Sequence, residues 1–188
     1  ATEKCPDDKW DPLKTHPMKH AEVFKHADKS YVDIIDLFRG QSVFIIANGP
    51  SFNAIDRAKL KQPGIVTFGM NNGAHSFRPN LWCAQDDPTK FMDSLWEDPA
   101  IMKFTMFSHA KKKYWKVAEK RMSDRTCGEM PNIYFHTRHS HFDKDTWMKQ
   151  TSVCWGKKGS RSTLIAVIHI AYLLGFRRMY LLGCDFHM

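Results

Sequence analysis

The stretch Ser42-Val43-Phe44-Ile45-Ile46-Ala47-Asn48-Gly49-Pro50-Ser51 decides the reading of the fold. From Val43 to Ala47 it is continuously apolar and of strand length. A strand without alternation must be covered on both faces, as in a parallel sheet wrapped by helices. Asn48-Gly49-Pro50 then breaks the chain, and Ser51 is placed to cap a helix running to about Leu60.

Working outward, Ile65–Met70, Leu81–Ala84, Ile101–Phe107, Ile133–Phe135 and Arg178–Cys184 read as further strands. Between them, Asp87 resembles an N-cap with Pro88 at the first helical position, leading a helix to about Trp96. His109–Met122 reads as a strongly basic helix, and 136–160 as a long loop. Ser162–Leu174 is a helix apolar on nearly every side, stopped by Gly175. Tyr31–Phe38 reads as a short amphipathic helix ended by Gly40, preceded by a polar lead-in containing Pro6, Pro12 and Pro17. The expected architecture is α/β: a Rossmann-like, doubly wound, mostly parallel sheet with helices on both faces. Residues 1–40 form the lead-in and short helix, and 41–188 a single domain.

Composition narrows the class. The chain has 188 residues, 43% hydrophobic and 26% charged, which suits one globular domain rather than a disordered or fibrous chain. No apolar run reaches the ~20 residues of a membrane span, and Ala1-Thr2-Glu3-Lys4 has no leader-like apolar segment. Five scattered cysteines without a CxxC pair suggest reduced thiols in a cytoplasmic protein. The net charge of +8 suits a polyanionic or phosphorylated partner, or solubility alone. Eight of the basic residues fall between Lys103 and Arg125, against two acids, with Tyr114 and Trp115 among them. Lys111, Lys112, Lys113 and Lys116 are therefore candidate DNA contacts, or a solvated face.

In an open parallel sheet, ligands bind beyond the carboxyl ends of the strands. Four polar clusters fall there: Asn48–Ser51, Asn71-Asn72, Gln85-Asp86-Asp87 and Asp185-Phe186-His187. Gly49 allows close backbone approach, Ser51 opens a helix whose N–H groups attract phosphate, and Asn48 can donate and accept. Ser162 and Thr163 open the buried helix as a second anion site, close in sequence to Arg161 and Lys157-Lys158. Asp86 and Asp87 can serve as a base or hold a divalent ion, although Asp87 also has a plain capping role. His16 with His20, and His139-Ser140-His141-Phe142-Asp143, have spacings that invite a metal, but Pro17 and the polar loop argue against both; no metal ligand is assigned.

Two blocks resemble a known family. Phe44–Phe52 with Phe68-Gly69-Met70-Asn71-Asn72, and Ser162-Thr163 with Leu174-Gly175-Phe176 and Met179–Phe186, are similar to the bacterial sialyltransferases of glycosyltransferase family 42. There, too, an apolar strand enters a Gly-Pro-Ser turn, and a late strand closes on Gly-x-Asp. The archaeal 6-hydroxymethylpterin diphosphokinase-like family shares both features. The resemblance implies a nucleotide-binding domain and transfer from an activated donor, here a nucleotide sugar. It implies that Asn48, Gly49, Ser51 and Asn71 contact phosphate and sugar, that Ser162 and Thr163 contact base or ribose, and that Asp185 lies near the nucleotide. His187 stands where the sialyltransferases place a Tyr that helps the leaving phosphate. Their catalytic His follows the last strand, beyond Met188 here, so either another residue serves or a catalytic part is missing. His187, Asp185, Asp86 and Asp87 are the acid–base candidates.

Three functions compete. The first is a nucleotide-sugar-dependent glycosyltransferase acting on a hydroxyl, the acceptor extending to a hydroxymethylated base in phage DNA, since FGMNN, RPNLWCAQDDP and LLGCDFHM also resemble phage proteins of this superfamily. The second is a Mg-dependent diphosphotransferase using Asp86 and Asp87. The third is a non-catalytic nucleic-acid-binding module.

Overall fold

A computed structural model describes residues 22–139, 153–154 and 162–185. Its centre is one mixed sheet of eight strands. In chain order these are β1 (Phe24–Lys25), β2 (Tyr31–Val32), β3 (Ser42–Ile46), β4 (Val66–Met70), β5 (Leu81–Ala84), β6 (Met102–Met106), β9 (Ile133–His136) and β12 (Arg178–Leu182). The hairpin strands β7 (Lys113–Lys116) and β8 (Arg121–Thr126) stand apart, as do β10 (Arg138–His139) and β11 (Val153–Cys154). The sheet order is β12-β3-β4-β5-β6-β9-β1-β2. The pairs from β12 through β9 are parallel, and β1 and β2 close the other edge antiparallel.

The expected doubly wound sheet with helices on both faces is not what forms. Among the described residues the α-helices are α1 (Gly73–Ser76), α2 (Asp93–Glu97) and α3 (Thr163–Leu173), and only α3 exceeds five residues. It covers one face. Val43, Ile45, Phe68, Met70, Leu81, Cys83 and Phe104 pack there with Ala166, Val167, Ile170 and Ala171. The other face is roofed by turns and a hairpin. Ile46 packs with Phe52, Leu60 and Phe77. Trp82 meets Phe91 and Trp96, with ring centroids 5.3 and 4.8 Å away, beside Tyr114 of β7. Trp82, Trp96 and Tyr114 are fully buried, each contributing on the order of 4–6 kcal/mol of transfer free energy before entropy is counted.

Four expected helices are replaced, for local reasons. After Pro50 the chain makes two 3₁₀ turns, Pro50–Ala54 and Lys59–Lys61. Asp56 accepts from the Ala58 N–H at 3.0 Å, an Asx turn that competes with helix. Asp87 caps as expected, but only the 3₁₀ turn Pro88–Lys90, and α2 starts afresh at Asp93. The basic segment 109–122 is largely the β7–β8 hairpin. Its inward residues are Tyr114 and Ser123, Trp115 opposes Met122, and Lys120 adopts φ +51° in the connection. Tyr31–Phe38 begins as β2 and continues as turns.

Candidate functional site

The carboxyl ends of β12, β3 and β4 lie side by side, and the chain segments leaving them touch. Ala47 N–H donates to Leu182 and Gly49 N–H to Gly183, both at 2.8 Å, so the parallel ladder runs on into the turn. Gly183 sits at φ +65°, which turns Asp185 back over β3. Asp185 Oδ2 accepts the Ser51 backbone N–H at 2.8 Å. Gly49 itself is extended, at φ −74°, so its need for glycine is one of space. A Cβ there would fall within 3.0 Å of the Asp185 carboxylate and the Gly183 carbonyl. Ser51 therefore does not open a helix with N–H groups left over for phosphate: its N–H is engaged by Asp185.

Asn71 directly follows β4 at φ +45°, a left-handed conformation that Asn tolerates better than most residues. Its carbonyl accepts from Trp82 Nε1 at 3.0 Å, and its Nδ2 donates to Thr163 Oγ1, at the start of α3, at 3.2 Å. A Cβ on Gly73 would fall within 3.0 Å of Asn48 Oδ1, so the Asn48 amide lies across from β3 against the backbone after β4. Asn48–Ser51, Asn71–Gly73, Thr163 and Gly183–Asp185 thus meet at one edge of the sheet. Ser162 holds the N-cap position of α3 in extended backbone, with no side-chain capping bond.

Next to Asn71, Gln85 follows β5 with only 3% of its surface exposed. Its Nε2 donates to His136 Nε2 at 3.0 Å and to Cys83 Sγ at 3.2 Å. His136 closes β9 and is fully buried. Burial drives its pKa down to about 3; the Thr137 backbone opposes this, and the charges of His169 and His109 add to it. The imidazole is therefore neutral at ordinary pH. Burial pushes the Cys83 thiol up to about 12, so it is no nucleophile. The sequence places Gln85 in a strand-end cluster without a role of its own and does not single out His136. The available signal was its position at the carboxyl end of a parallel strand.

Asp86 and Asp87 are engaged elsewhere. Asp87 accepts from Thr89 N–H at 3.1 Å and pairs with Lys112 at 2.8 Å. The Lys112 bond, then the Thr89 N–H, holds its carboxyl at about 2. Asp86, mostly exposed, lies 3.8 Å from Lys90. Asp87 thus faces the hairpin side, and neither carboxylate has a contact with the Asn48–Asp185 convergence among the described residues. The basic track is neutralised in part: besides Lys112, Lys116 pairs with Glu97 and Glu119, and Arg121 with Glu119 and Asp124. Lys111 and Lys113 make no ion pair among the described residues.

His187, Lys157, Lys158, Arg161, His16, His20 and the side chains of the His139–Asp143 motif lie outside the described residues. Among the described residues no group of three or more His, Cys, Asp or Glu side chains is arranged to hold a metal, and no helix is long and apolar enough to cross a membrane. No family model, curated protein or solved structure matches the chain.

Proposed function

We propose that the protein is a nucleotide-sugar-dependent glycosyltransferase that moves a sugar to a hydroxyl acceptor. The observation that carries this reading is the convergence of Asn48–Ser51, Asn71–Gly73, Thr163 and Gly183–Asp185 at the carboxyl edge of parallel strands, from segments more than a hundred residues apart. Such an edge is where open α/β sheets hold ligands. Its chemistry is neutral amides, hydroxyls and one carboxylate, a set suited to ribose and sugar hydroxyls and to the groups flanking a phosphate.

In the reaction, the acceptor oxygen attacks the anomeric carbon, the bond to the phosphate oxygen breaks, and the nucleotide leaves with the electron pair. Asn48 holds the phosphate side of the nucleotide sugar, and Asn71, oriented by Thr163, its sugar side. Asp185, anchored by the Ser51 N–H, is the candidate carboxylate to take the acceptor's proton. His187 is the candidate donor to the leaving phosphate, its role resting on sequence alone. The acidic pair Asp86/Asp87 favours no diphosphotransferase, because Lys112 and Lys90 already pair with these carboxylates. A panel of nucleotide sugars, incubated with small-molecule alcohols and with hydroxymethylated DNA and read by mass, tests the proposal. Acceptor mass gain by one glycosyl unit is expected. No gain with any donor, together with no binding of any nucleotide, overturns it.

A further inference from the structure

Two amide oxygens on the α3 face of the sheet's carboxyl edge are buried without a hydrogen-bond partner, Asn71 Oδ1 and Gln85 Oε1, while His136 beside them bonds to Gln85 and to the Thr137 backbone. Orphaned buried polar atoms are uncommon in folded proteins, and two together at neighbouring strand ends call for an explanation. Each amide is already tethered through its nitrogen, Asn71 to Thr163 Oγ1 and Gln85 to His136 Nε2 and Cys83 Sγ. What both amides leave unused is a carbonyl oxygen. Asn71 and Gln85 directly follow the adjacent strands β4 and β5, so the two acceptors belong to neighbouring rows roughly 5 Å apart.

We infer that Asn71 Oδ1 and Gln85 Oε1 form a two-acceptor floor for the hydroxyl groups of a transferred sugar, and that His136 is the positioning residue that keeps the Gln85 oxygen turned toward it. The logic is one of donors and acceptors. A neutral imidazole whose Nε2 carries no proton can only accept there, so it holds the Gln85 NH₂ and excludes the flipped amide, in which two acceptors would face each other. Burial keeps His136 neutral. A floor of carbonyl oxygens accepts from hydroxyls and disfavours further acceptors such as phosphate oxygens. This places the sugar beneath the start of α3 and leaves the phosphates to the Asn48 side. The inference rests on the glycosyltransferase reading and assigns a subsite within it.

The test is calorimetry with UDP, UDP-glucose, UDP-N-acetylglucosamine, GDP, GDP-mannose and CMP, on the wild type and on His136→Phe, His136→Asn and Gln85→Met, with folding verified by circular dichroism. In the wild type, one nucleotide sugar binds more tightly than its parent nucleotide. His136→Phe and Gln85→Met are expected to reduce that sugar-to-nucleotide ratio about tenfold and leave the affinity for the bare nucleotide within about twofold. His136→Asn, whose oxygen can still accept from Gln85, restores part of the ratio. A merely structural role would lower both affinities together. An unchanged ratio in Gln85→Met, or in a folded His136→Phe, overturns the inference while leaving the transferase reading standing. Wild-type protein that binds none of the six probes overturns the transferase reading itself, and the subsite with it.

Discussion

Replacing Lys103 separates scaffold from site. This lysine of β6 is fully buried, and its ammonium donates to the carbonyls of Asp98 at 2.5 Å, Ile101 at 3.0 Å and Pro131 at 2.8 Å. Those carbonyls precede β6 and β9, at the amino edge of the sheet, opposite the candidate pocket. Burial lowers the lysine from 10.5 to about 8, with the Asp98 carboxylate opposing. The folded state therefore gives up its proton before the unfolded state does. Below the folded value both states are protonated and the cost of burying the charge is felt in full. Between the two values the unfolded state binds more protons, so stability rises with pH. With these two values, linkage gives a gain of about 2 kcal/mol between about pH 7 and about pH 9.5. Lys103→Met removes the charge and strands three carbonyls, for a net loss of about 2–4 kcal/mol at neutral pH. Urea unfolding followed by tryptophan fluorescence at both pH values measures this. The wild type's advantage over the variant is expected to widen by about 2 kcal/mol on the alkaline side, while nucleotide affinity of the folded variant stays unchanged. A difference that does not vary with pH would refute the buried-charge argument, and lost ligand affinity would refute the division between the two edges.

Other outcomes follow from the same contacts. Gly49→Ala is expected to cost about 1–3 kcal/mol and to weaken nucleotide binding, because its Cβ collides with the Asp185 carboxylate and the Gly183 carbonyl; an unchanged melting temperature and affinity would show that the close approach is absent. Asp87→Asn is expected to cost under about 1 kcal/mol, since the pair with Lys112 is solvent-screened, and to leave the proposed glycosyl transfer unchanged. That small contribution is present above the usual carboxylate value and is lost as pH falls toward about 2. A hundredfold activity loss would bring back an essential acidic pair. Lys111→Glu with Lys113→Glu is expected to lower the salt-dependence slope of DNA binding by about two, measured by fluorescence anisotropy; a slope equal to the wild type's would remove the hairpin from any DNA contact.

Much of the sheet was legible because buried strands are continuous apolar runs. Leu81–Ala84 lies where its composition puts it, and β3, β4, β6, β9 and β12 start or end within two residues of their expected bounds. The apolar helix Thr163–Leu173 was equally plain. What failed was the inference that a sheet covered on both faces is covered by helices. Phe52, Leu60 and Phe77 roof one part of it from 3₁₀ turns and a strand-like residue, and aromatic bulk there does the work that helix length would otherwise do. The lysine-rich segment before Met122 looked helical by composition. Its apolar residues do not form a helical stripe, however, and Tyr114 burying its ring beside Trp96 settles it as a strand. At the carboxyl edge, Asn48, Gly49, Asn71 and Asp185 were legible as turn residues after apolar strands and Thr163 as the opening of the buried helix, and the structure brings these positions together. Ser51 was assigned a phosphate that its bond to Asp185 replaces. His136 escaped because a single buried histidine carries no pattern, and only its bond to Gln85 gives it a role.

Chemical-shift mapping of backbone amides, with and without the nucleotide sugar found to bind, tests the central claim most directly. Segments 48–51, 71–73, 163–164 and 183–185 should shift together and saturably, with the hairpin 113–126 and the amino-edge residues around Lys103 still. Shifts confined to the hairpin, or scattered over only one of the four segments, would contradict a shared nucleotide pocket.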